Sequence, residues 1–398
     1  MENTHSKLDK KIIHLSERLM FKLALFSAAM MTVLGSVVIS PALPAISKHF
    51  INTPHIETLT GLVLTIPALF VVFFSPLAGV LMDRFGKIRF LYPAMIVWII
   101  AGVSGCFMDS IYTLLISRCI FGIATAFITT AASALLGDYY AVGVGRKDRA
   151  LSLQGFVLAI GGAILTIIGG YLASFSWRYV FIVYSSGIAI FIFCLFYLFE
   201  PRVNKKKKAN IPKEPMQYKP FLPIYFIGFF IMAIYYLAAI QFPHYIEELG
   251  LDSKYIGVAM ATPTLSYGIF CYLYKDFAKV LNIKQIYIFG LILEALGFLL
   301  VFLFANFIIV LISLFLFGVA GGLLVTNNSA YLFSLAPAHK RARAYSVLAS
   351  CIFFGQFISP FITTPMVHYF GLRNEFLIWV GVILLVSFVY ARLKIKSA

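Results

Sequence analysis

The sequence has few charged residues: Asp, Glu, Lys and Arg occupy 12% of its 398 positions, whereas a soluble domain carries about 25%. Hydrophobic residues occupy 61%, and the mean hydropathy is +0.93. The apolar runs at 23–46 and 61–82 reach the roughly 20 residues that cross a bilayer core. Because these runs lack the alternating pattern of barrel strands, they predict helices. The sequence therefore predicts an all-α polytopic membrane protein.

Cysteine is also scarce. The five cysteines lie in or beside apolar segments, and no C-x-x-C pair occurs. This pattern predicts neither a disulfide framework nor a metal site. The phosphate-binding pattern G-x-x-x-x-G-K-[ST] is missing as well. We therefore expect no cofactor, and we expect an ion gradient, with protons as the ion, to supply any energy that the protein uses.

Acidic residues are half as frequent as basic ones, 16 against 32, and the net charge is +16. The basic residues are spread over the connections between apolar runs, which argues against a nucleic-acid partner. When alternate connections are assigned to the two sides of a membrane, one side receives 27 of the 32 Lys and Arg. This bias predicts a multi-pass protein of the inner (cytoplasmic) cell membrane, with both termini and the 200–220 loop in the cytoplasm.

Hydropathy, together with breaks at Gly, Pro and charged residues, predicts twelve transmembrane helices. Their limits are 20–46, 59–82, 88–108, 112–137, 150–173, 178–199, 221–243, 254–274, 285–305, 307–333, 344–368 and 374–393. The predicted domains are a cytoplasmic segment 1–19, a six-helix bundle 20–199, a basic cytoplasmic linker 200–220, a second six-helix bundle 221–393 and a cytoplasmic tail 394–398. We interpret the linker as a solvated loop. The alternative is that its lysines bind anionic lipid headgroups.

The two predicted bundles repeat each other. Residues 121–136 align without gaps with residues 317–332, at an offset of 196 positions, and Phe121/Phe317 and Gly122/Gly318 are identical pairs in this alignment. Duplicated halves in parallel orientation occur in secondary transporters, whose substrate sites lie between the halves near the middle of the membrane. The repeat therefore predicts two pseudo-symmetric bundles around a central site.

The segment "GVLMDRFGKIR" (79–89) concentrates charge between the second and third predicted spans. It resembles the Gly-x-x-x-Asp-Arg-x-Gly-Arg/Lys signature of the major facilitator superfamily, and the resemblance extends over essentially the whole chain. The signature positions, with the arginine that follows them, are Gly79, Asp83, Arg84, Gly86, Lys87 and Arg89. The resemblance implies the major facilitator fold, with twelve helices in two bundles.

The resemblance also implies a gate. Asp83 is expected to face the eleventh span, near Arg341 and Arg343, and contacts there would close the cytoplasmic side in one state of the transport cycle. We expect Gly79 to permit close approach of a neighbouring helix and Gly86 to permit the tight reversal of the chain.

The segment "LLISRCIFGIATA" resembles the superfamily's motif in the fourth span, with Arg118 as its arginine, whereas "ALPAISKHF" and "GGYLASFSWRYVFIV" resemble the bacterial drug-efflux branch of twelve-span drug:proton antiporters. One segment departs from that branch, because "GGAILTIIGG" (161–170) has Leu165 and Thr166 where the branch has Gly-Pro. Its glycines, which we expect to permit close helix packing, are Gly161, Gly162, Gly169 and Gly170.

Ionisable residues inside a membrane are functional candidates, because burying a charge there is costly. Arg118 and Glu294 are such residues, and for each a role in coupling or in the cavity stands beside a structural role. The first span contains no acid. An unbalanced Arg118 therefore favours an anionic or zwitterionic substrate. Asp138 is expected to pair with Arg146 or Arg149.

Polar and aromatic side chains in the cavity-lining spans 1, 4, 5, 7, 8, 10 and 11 are candidates for substrate contact. Hydrogen bonding between helices is the alternative for each of them. These candidates are Gln154, Tyr235, Tyr236, Gln241, Tyr267, Asn327, Asn328 and Gln356.

Together these features predict a secondary active transporter that exports small, partly hydrophobic compounds, as in multidrug resistance, and that acts as a monomer by alternating access. An importer, a facilitator or a flippase for an anionic or zwitterionic metabolite remains the alternative. The histidines lie at or near the ends of spans, so an intramembrane enzyme is only a remote alternative.

Overall fold

The computed structural model describes residues 18–140, 146–200, 218–337 and 340–393, and within these ranges it contains helices and no strands. The predicted tail, most of the predicted N-terminal segment and most of the predicted linker lie outside the described residues. The helices of the first half are α1 (Leu19–Val37), α2 (Ile56–Phe85), α3 (Ile88–Ser104), α4 (Ile111–Tyr139), α5 (Arg146–Phe175) and α6 (Ser186–Tyr197). A 3₁₀ helix, Trp177–Ser185, leads into α6.

The second half repeats this order. Its helices are α7 (Leu222–Glu248), α8 (Ser253–Val280), α9 (Ile283–Leu303), α10 (Phe307–Leu335), α11 (Arg341–Phe370) and α12 (Leu372–Arg392). Within the described ranges, eleven helical segments, from Ile56–Phe85 to Leu372–Arg392, are long and apolar enough to cross a membrane. The predicted first span corresponds to α1, a 3₁₀ turn and a short helix, Leu43–His49.

Several helices extend beyond the predicted spans. The segment 275–284 was expected to be a loop, yet α8 continues to Val280 and α9 begins at Ile283. The side chain of Asn282 accepts a hydrogen bond from the Gln285 N–H, and the Gln285 side chain accepts one from the Asn282 N–H. This capping box starts α9 at once. Hydropathy locates the apolar part of a helix but not the polar turns that continue it into water.

Equivalent hydrogen bonds in the two halves confirm the repeat. The Ser117 hydroxyl donates to the Ala101 carbonyl at 3.2 Å, and the Ser313 hydroxyl, 196 positions later, donates to the Gly297 carbonyl at 2.8 Å. Gly297 is itself 196 positions after Ala101. The two halves therefore join their third and fourth helices in the same way.

The halves contact each other along α5 and α8 and along α2 and α11. We call the end of the bundle with the 84–89 turn the basic end and the other the opposite end. Near the opposite end α5 and α8 cross so closely that a Cβ at Gly170 would lie 2.5 Å from the Gly257 Cα. There the Ser40 hydroxyl also donates to the Ala239 carbonyl across the halves, at 2.6 Å. The two halves are therefore in close contact near the opposite end.

Candidate functional site

A cavity of about 320 Å³ lies between the two halves. Residues of α1, α2, α4 and α5 line it from the first half, and residues of α7, α8, α10 and α11 line it from the second. This is the arrangement that the repeat predicts, with α2 as an additional wall. None of the described residues that line the cavity is charged.

Four of the predicted substrate-contact residues line the cavity: Tyr235, Tyr236, Tyr267 and Gln356. The ring of Tyr235 lies 6.0 Å from that of Tyr236 and 6.5 Å from that of Tyr267, between ring centroids. A Cβ at Gly321 would lie 3.1 Å from the Tyr267 ring, so this glycine leaves room for the tyrosine. The second half thus contributes an aromatic wall, and its contact with a substrate remains a prediction.

The other four predicted residues do not line the cavity. Asn327 bonds to the Tyr274 hydroxyl and the Ile283 carbonyl, whereas Asn328 bonds to the Tyr287 hydroxyl and the Ile224 carbonyl. These bonds satisfy the buried amides, which need hydrogen-bond partners, and they join helices of the second half. The other two are Gln154 and Gln241; the neighbours of Gln154, Gly155 and Leu158, do line the cavity.

Gln241 belongs to a buried network that the sequence did not reveal. Its amide donates to the Thr363 hydroxyl at 2.8 Å, and Thr363 donates to the Glu375 carboxylate. The Trp379 indole donates to the same carboxylate oxygen at 3.1 Å. Glu375 is fully buried. Glu375 lies at the very start of the predicted twelfth span, and the sequence analysis did not single it out; its hydrogen bonds join α7, α11 and α12.

Threonines supply much of the remaining polar lining, and the sequence analysis missed them. Thr32, Thr125, Thr129 and Thr264 line the cavity. Each hydroxyl donates to a carbonyl three or four residues earlier in its own helix. A threonine that bonds to its own helix is compatible with any apolar span, so it gives no sequence signal. The cavity surface is therefore largely neutral and apolar.

Arg118 lies one layer behind the cavity wall, since it does not line the cavity although Phe121 of the same helix does. The side chain is fully buried. Its Nη2 donates to the Ala101 carbonyl at 2.6 Å and to the Gly102 carbonyl at 3.1 Å. Both carbonyls belong to the last turn of α3, where helical carbonyls lack partners and a cation is favoured. Arg118 therefore fastens α4 to the end of α3, and its expected position in the cavity was wrong.

Glu294 is also fully buried and does not line the cavity. It lies on the face of α9 that packs against α10, between Gly290, which abuts Leu324, and Gly297, which abuts Phe317. Within the described part of the chain, neither carboxylate oxygen has a hydrogen-bond partner. A role for Glu294 in coupling remains a prediction.

The charged turn between α2 and α3 is held by Glu200, a residue far from it in the sequence. Gly86 has φ +101°, which favours glycine, and this confirms the tight reversal. The Glu200 carboxylate accepts hydrogen bonds from the backbone N–H of Lys87, at 2.9 and 3.0 Å, and of Ile88, at 2.8 Å. Lys87 itself forms an ion pair with Asp138. The side chains of Arg146 and Arg149, one of which was expected to pair with Asp138, lie outside the described residues.

Other predictions for this turn have mixed outcomes. Among the described residues, a Cβ at Gly79 would meet only the Thr130 methyl, at 4.0 Å, so the close approach expected at Gly79 is not found there. Asp83 and Arg84 lie in the exposed last turn of α2, where the Arg84 guanidinium lies over the Phe85 ring, 5.1 Å from its centroid. Arg89 is exposed as well. α2 packs against α11, and the gating contact of Asp83 remains a prediction.

Three of the four predicted packing glycines of α5, namely Gly161, Gly169 and Gly170, lie at close contacts. A Cβ at Gly161 would clash with the Met30 sulfur, and one at Gly169 would lie 2.9 Å from the Val38 carbonyl oxygen. Gly170 makes the crossing with α8 described above. The Gly162 carbonyl accepts a hydrogen bond from the Thr166 hydroxyl at 2.8 Å. α5 thus packs closely without the missing Gly-Pro.

A helical membrane protein with duplicated halves around a central cavity has the architecture of a secondary transporter. The sequence model of the Major Facilitator Superfamily matches residues 25–273 and 224–397. The chain belongs to this superfamily and is a membrane transporter of small molecules.

The chain is similar to bacterial drug-efflux proteins. It is 24% identical to the multidrug efflux protein YfmO of Bacillus subtilis (strain 168) over 374 residues, which cover 90% of each chain. It is 26% identical over 180 residues to the class H tetracycline resistance protein of Pasteurella multocida, covering 45% of this chain and 43% of that one. These similarities confirm the resemblance to the drug-efflux branch.

Solved structures show the same fold. A single-residue mutant of the nucleoside transporter NupG gives a TM-score of 0.77 at 13% identity, over 94% of this chain and 99% of that one. A D-xylose-proton symporter gives a TM-score of 0.77 at 16% identity, over 95% and 99%. At such identities the likeness shows the fold alone.

Proposed function

We propose that this protein is an ion-driven exporter of small, lipophilic, uncharged compounds, which reach the two sides of the membrane alternately through the central cavity. The observation that carries the proposal is the lining of that cavity. Both halves contribute to it, and its described residues are apolar, aromatic or neutral polar. Ligand pockets of this kind bind by shape and apolar contact, with a few polar groups that orient the ligand.

The lining argues against an anionic substrate. That expectation rested on Arg118 as an unbalanced charge in the cavity, whereas the guanidinium is held by the carbonyls at the end of α3. The direction of transport is inferred from similarity, since the multidrug efflux protein named above has export in its name.

Proton coupling needs a carboxyl group that can bind and release a proton during the cycle. Glu294 and Glu375 are both fully buried, but Thr363 and Trp379 donate to Glu375. Glu294 lacks such donors within the described residues, and it faces α10, which also lines the cavity. We therefore assign proton coupling to Glu294.

Purified protein in liposomes under an imposed pH gradient tests the proposal. Neutral lipophilic dyes, tetracycline, organic anions and sugars would be offered in turn, while substrate flux and internal pH are recorded together. We expect the lipophilic compounds to move together with a counterflow of protons. Transport of organic anions or sugars alone would contradict the substrate class, and substrate flux without proton movement would contradict the coupling.

Two glutamines provide a matched pair of variants. Gln356 lines the cavity, whereas Gln241 is bonded within the second half. We expect Gln356→Ala to raise the KM of substrates that carry a hydrogen-bonding group by about tenfold, which corresponds to one lost hydrogen bond. Gln241→Ala should lower the thermal stability and leave relative KM values unchanged. Equal effects of the two variants on KM would contradict the assignment of the cavity.

A further inference from the structure

A cluster of aromatic rings encloses Arg118 inside the first half. The guanidinium carbon lies 4.7 Å from the ring centroid of Phe121, 5.1 Å from that of Phe181 and 5.3 Å from that of Tyr184. The Trp98 ring completes the cluster, at 4.9 Å from Phe121 and 5.2 Å from Tyr184, between centroids. All these side chains are buried.

Several hydrogen-bond donors in this cluster have no acceptor. Within the described residues, Nε and Nη1 of Arg118 and Nε1 of Trp98 are buried without a hydrogen-bond partner. The Tyr184 hydroxyl interacts with Arg118 through its oxygen, and its own hydrogen has no acceptor among those residues. Indole and guanidinium nitrogens can only donate, and a hydroxyl donates as well. Arg118 and Trp98, each in contact with Tyr184, therefore present donors and one positive charge.

The contacts of Arg118 within the protein satisfy only one edge of the guanidinium. Both backbone carbonyls at the end of α3 and the Ser117 hydroxyl accept from Nη2 alone. No carboxylate forms an ion pair with Arg118 among the described residues. A buried charge without a counter-charge is strongly unfavourable, whereas a charge-assisted acceptor restores much of the lost stabilisation.

We infer that Arg118, Trp98 and Tyr184 form a binding site for one small inorganic anion, of the size and charge of chloride. A monatomic anion accepts from several donors at once and supplies the counter-charge. The site lies inside the first half, behind Phe121, and is distinct from the central cavity. Because the cluster is buried and enclosed by four aromatic rings, the proposed ligand is a resident ion rather than a transported substrate.

Thermal unfolding of the detergent-solubilised protein tests the site. Melting would be followed in sodium chloride, sodium bromide and sodium gluconate at equal ionic strength. Because a ligand that binds only the folded state stabilises it, we expect Tm in the halide salts to exceed that in gluconate by about 2 °C or more. Identical Tm values in the three salts would overturn the proposal.

Arg118→Leu is the main variant, since Leu314 occupies the equivalent position of the second half. Its halide-dependent shift in Tm should disappear. Arg373→Leu is the matched control: Arg373 also bonds to carbonyls at a helix end, those of Phe302 and Leu303, but it is exposed. This control should keep the full halide response, and an equal response in Arg118→Leu would overturn the site.

Tyr184→Phe gives a second test that keeps both the charge and the ring. Loss of one donor to an anion should weaken halide binding about tenfold, seen as a shift of the halide concentration that gives half of the Tm increase. A crystal grown in bromide should show an anomalous peak beside Arg118. An unchanged halide response in Tyr184→Phe, or no anomalous peak there, would contradict the proposed site.

Discussion

The two halves of this transporter share a scaffold but bury different chemistry at equivalent positions. Ser117 and Ser313 make the same hydrogen bond to the preceding helix. The next residue is Arg118 in the first half and Leu314 in the second, whereas Trp98 of the first half corresponds to Glu294 of the second. At these two pairs of equivalent positions, one half thus buries a basic group and the other an acidic group, each where the other half has a hydrophobic side chain.

The surroundings of these groups differ as well. In the first half rings surround a guanidinium, while in the second they pack against one another: Phe317 lies 4.6 Å from Phe298 and 5.8 Å from Phe242, between ring centroids. Duplication therefore preserved the helix contacts that hold each bundle together, and it left the interior of each bundle free to diverge.

The largest effect is expected from Leu314→Arg, which gives the second half the charge of the first. The variant is made in a Glu294→Gln background, since Glu294 corresponds to Trp98 and could otherwise offer a counter-charge. The new guanidinium would then be buried among phenylalanines without the aromatic and donor surroundings of Arg118, and we expect a loss of about 3–5 kcal/mol of stability relative to Glu294→Gln alone. The yield of monodisperse protein and its Tm measure the effect. Leu314→Met should be nearly neutral, and a stable Leu314→Arg protein would show that the two interiors are interchangeable.

The equivalent residues Phe121 and Phe317 should give the next largest difference in stability between the two halves. Phe317→Ala would leave a void in the phenylalanine cluster and should lower the stability by about 3–4 kcal/mol. Phe121→Ala should lower it less, by about 2 kcal/mol, because Phe121 already borders the central cavity. Urea or thermal unfolding of both variants gives the difference, and a larger loss for Phe121→Ala would contradict this view.

The N-termini of α3 and α9 are capped by residues from different places in the chain. Glu200, far along the chain, accepts from the first N–H groups of the α3 turn, whereas α9 is capped by its own Asn282. We expect Glu200→Ala to lower the stability by about 2 kcal/mol, as for a charged acceptor, and Asn282→Ala by about 1 kcal/mol. Thermal unfolding compares them, with Glu200→Gln as a control that keeps one acceptor. Equal losses would contradict a larger contribution from the charged, distant cap.

The smallest effect on stability is expected from Glu294→Gln. The amide has the same size but cannot carry a charge, so the free energy of unfolding should change by no more than about 1 kcal/mol, as measured by Tm. Proton-driven transport should nevertheless be lost, since Gln cannot carry a proton, while substrate binding is retained. Full proton-driven transport by this variant would exclude Glu294 as the coupling group.

The fold could be predicted almost completely from the sequence, because each span is recognisable from its length and hydropathy. The repeat also shows which helices of the two halves correspond to each other. The cavity could be predicted only in part. Tyr235 and Tyr267 were found because they are polar-tipped side chains in a lining span, but hydropathy cannot tell which face of a helix looks inward. For that reason the sequence could not decide between substrate contact and interhelical hydrogen bonding for Asn327, and Thr125 was missed.

The site of Arg118 shows the same limit. A charge in a span is visible in any sequence, but its neighbours come from α3 and from the segment that leads into α6, which are distant along the chain. Only the packing of these helices shows that the guanidinium lies behind the cavity wall.

Glu200 has one further consequence, for the order of events during synthesis. Leu198 accepts a hydrogen bond from the Tyr92 hydroxyl, Phe199 accepts one from Tyr139, and Glu200 caps α3. All three contacts join the last residues of the first half to helices made earlier. The first bundle can therefore close on itself as soon as residue 200 has left the ribosome and the translocation machinery, before any helix of the second bundle has been inserted.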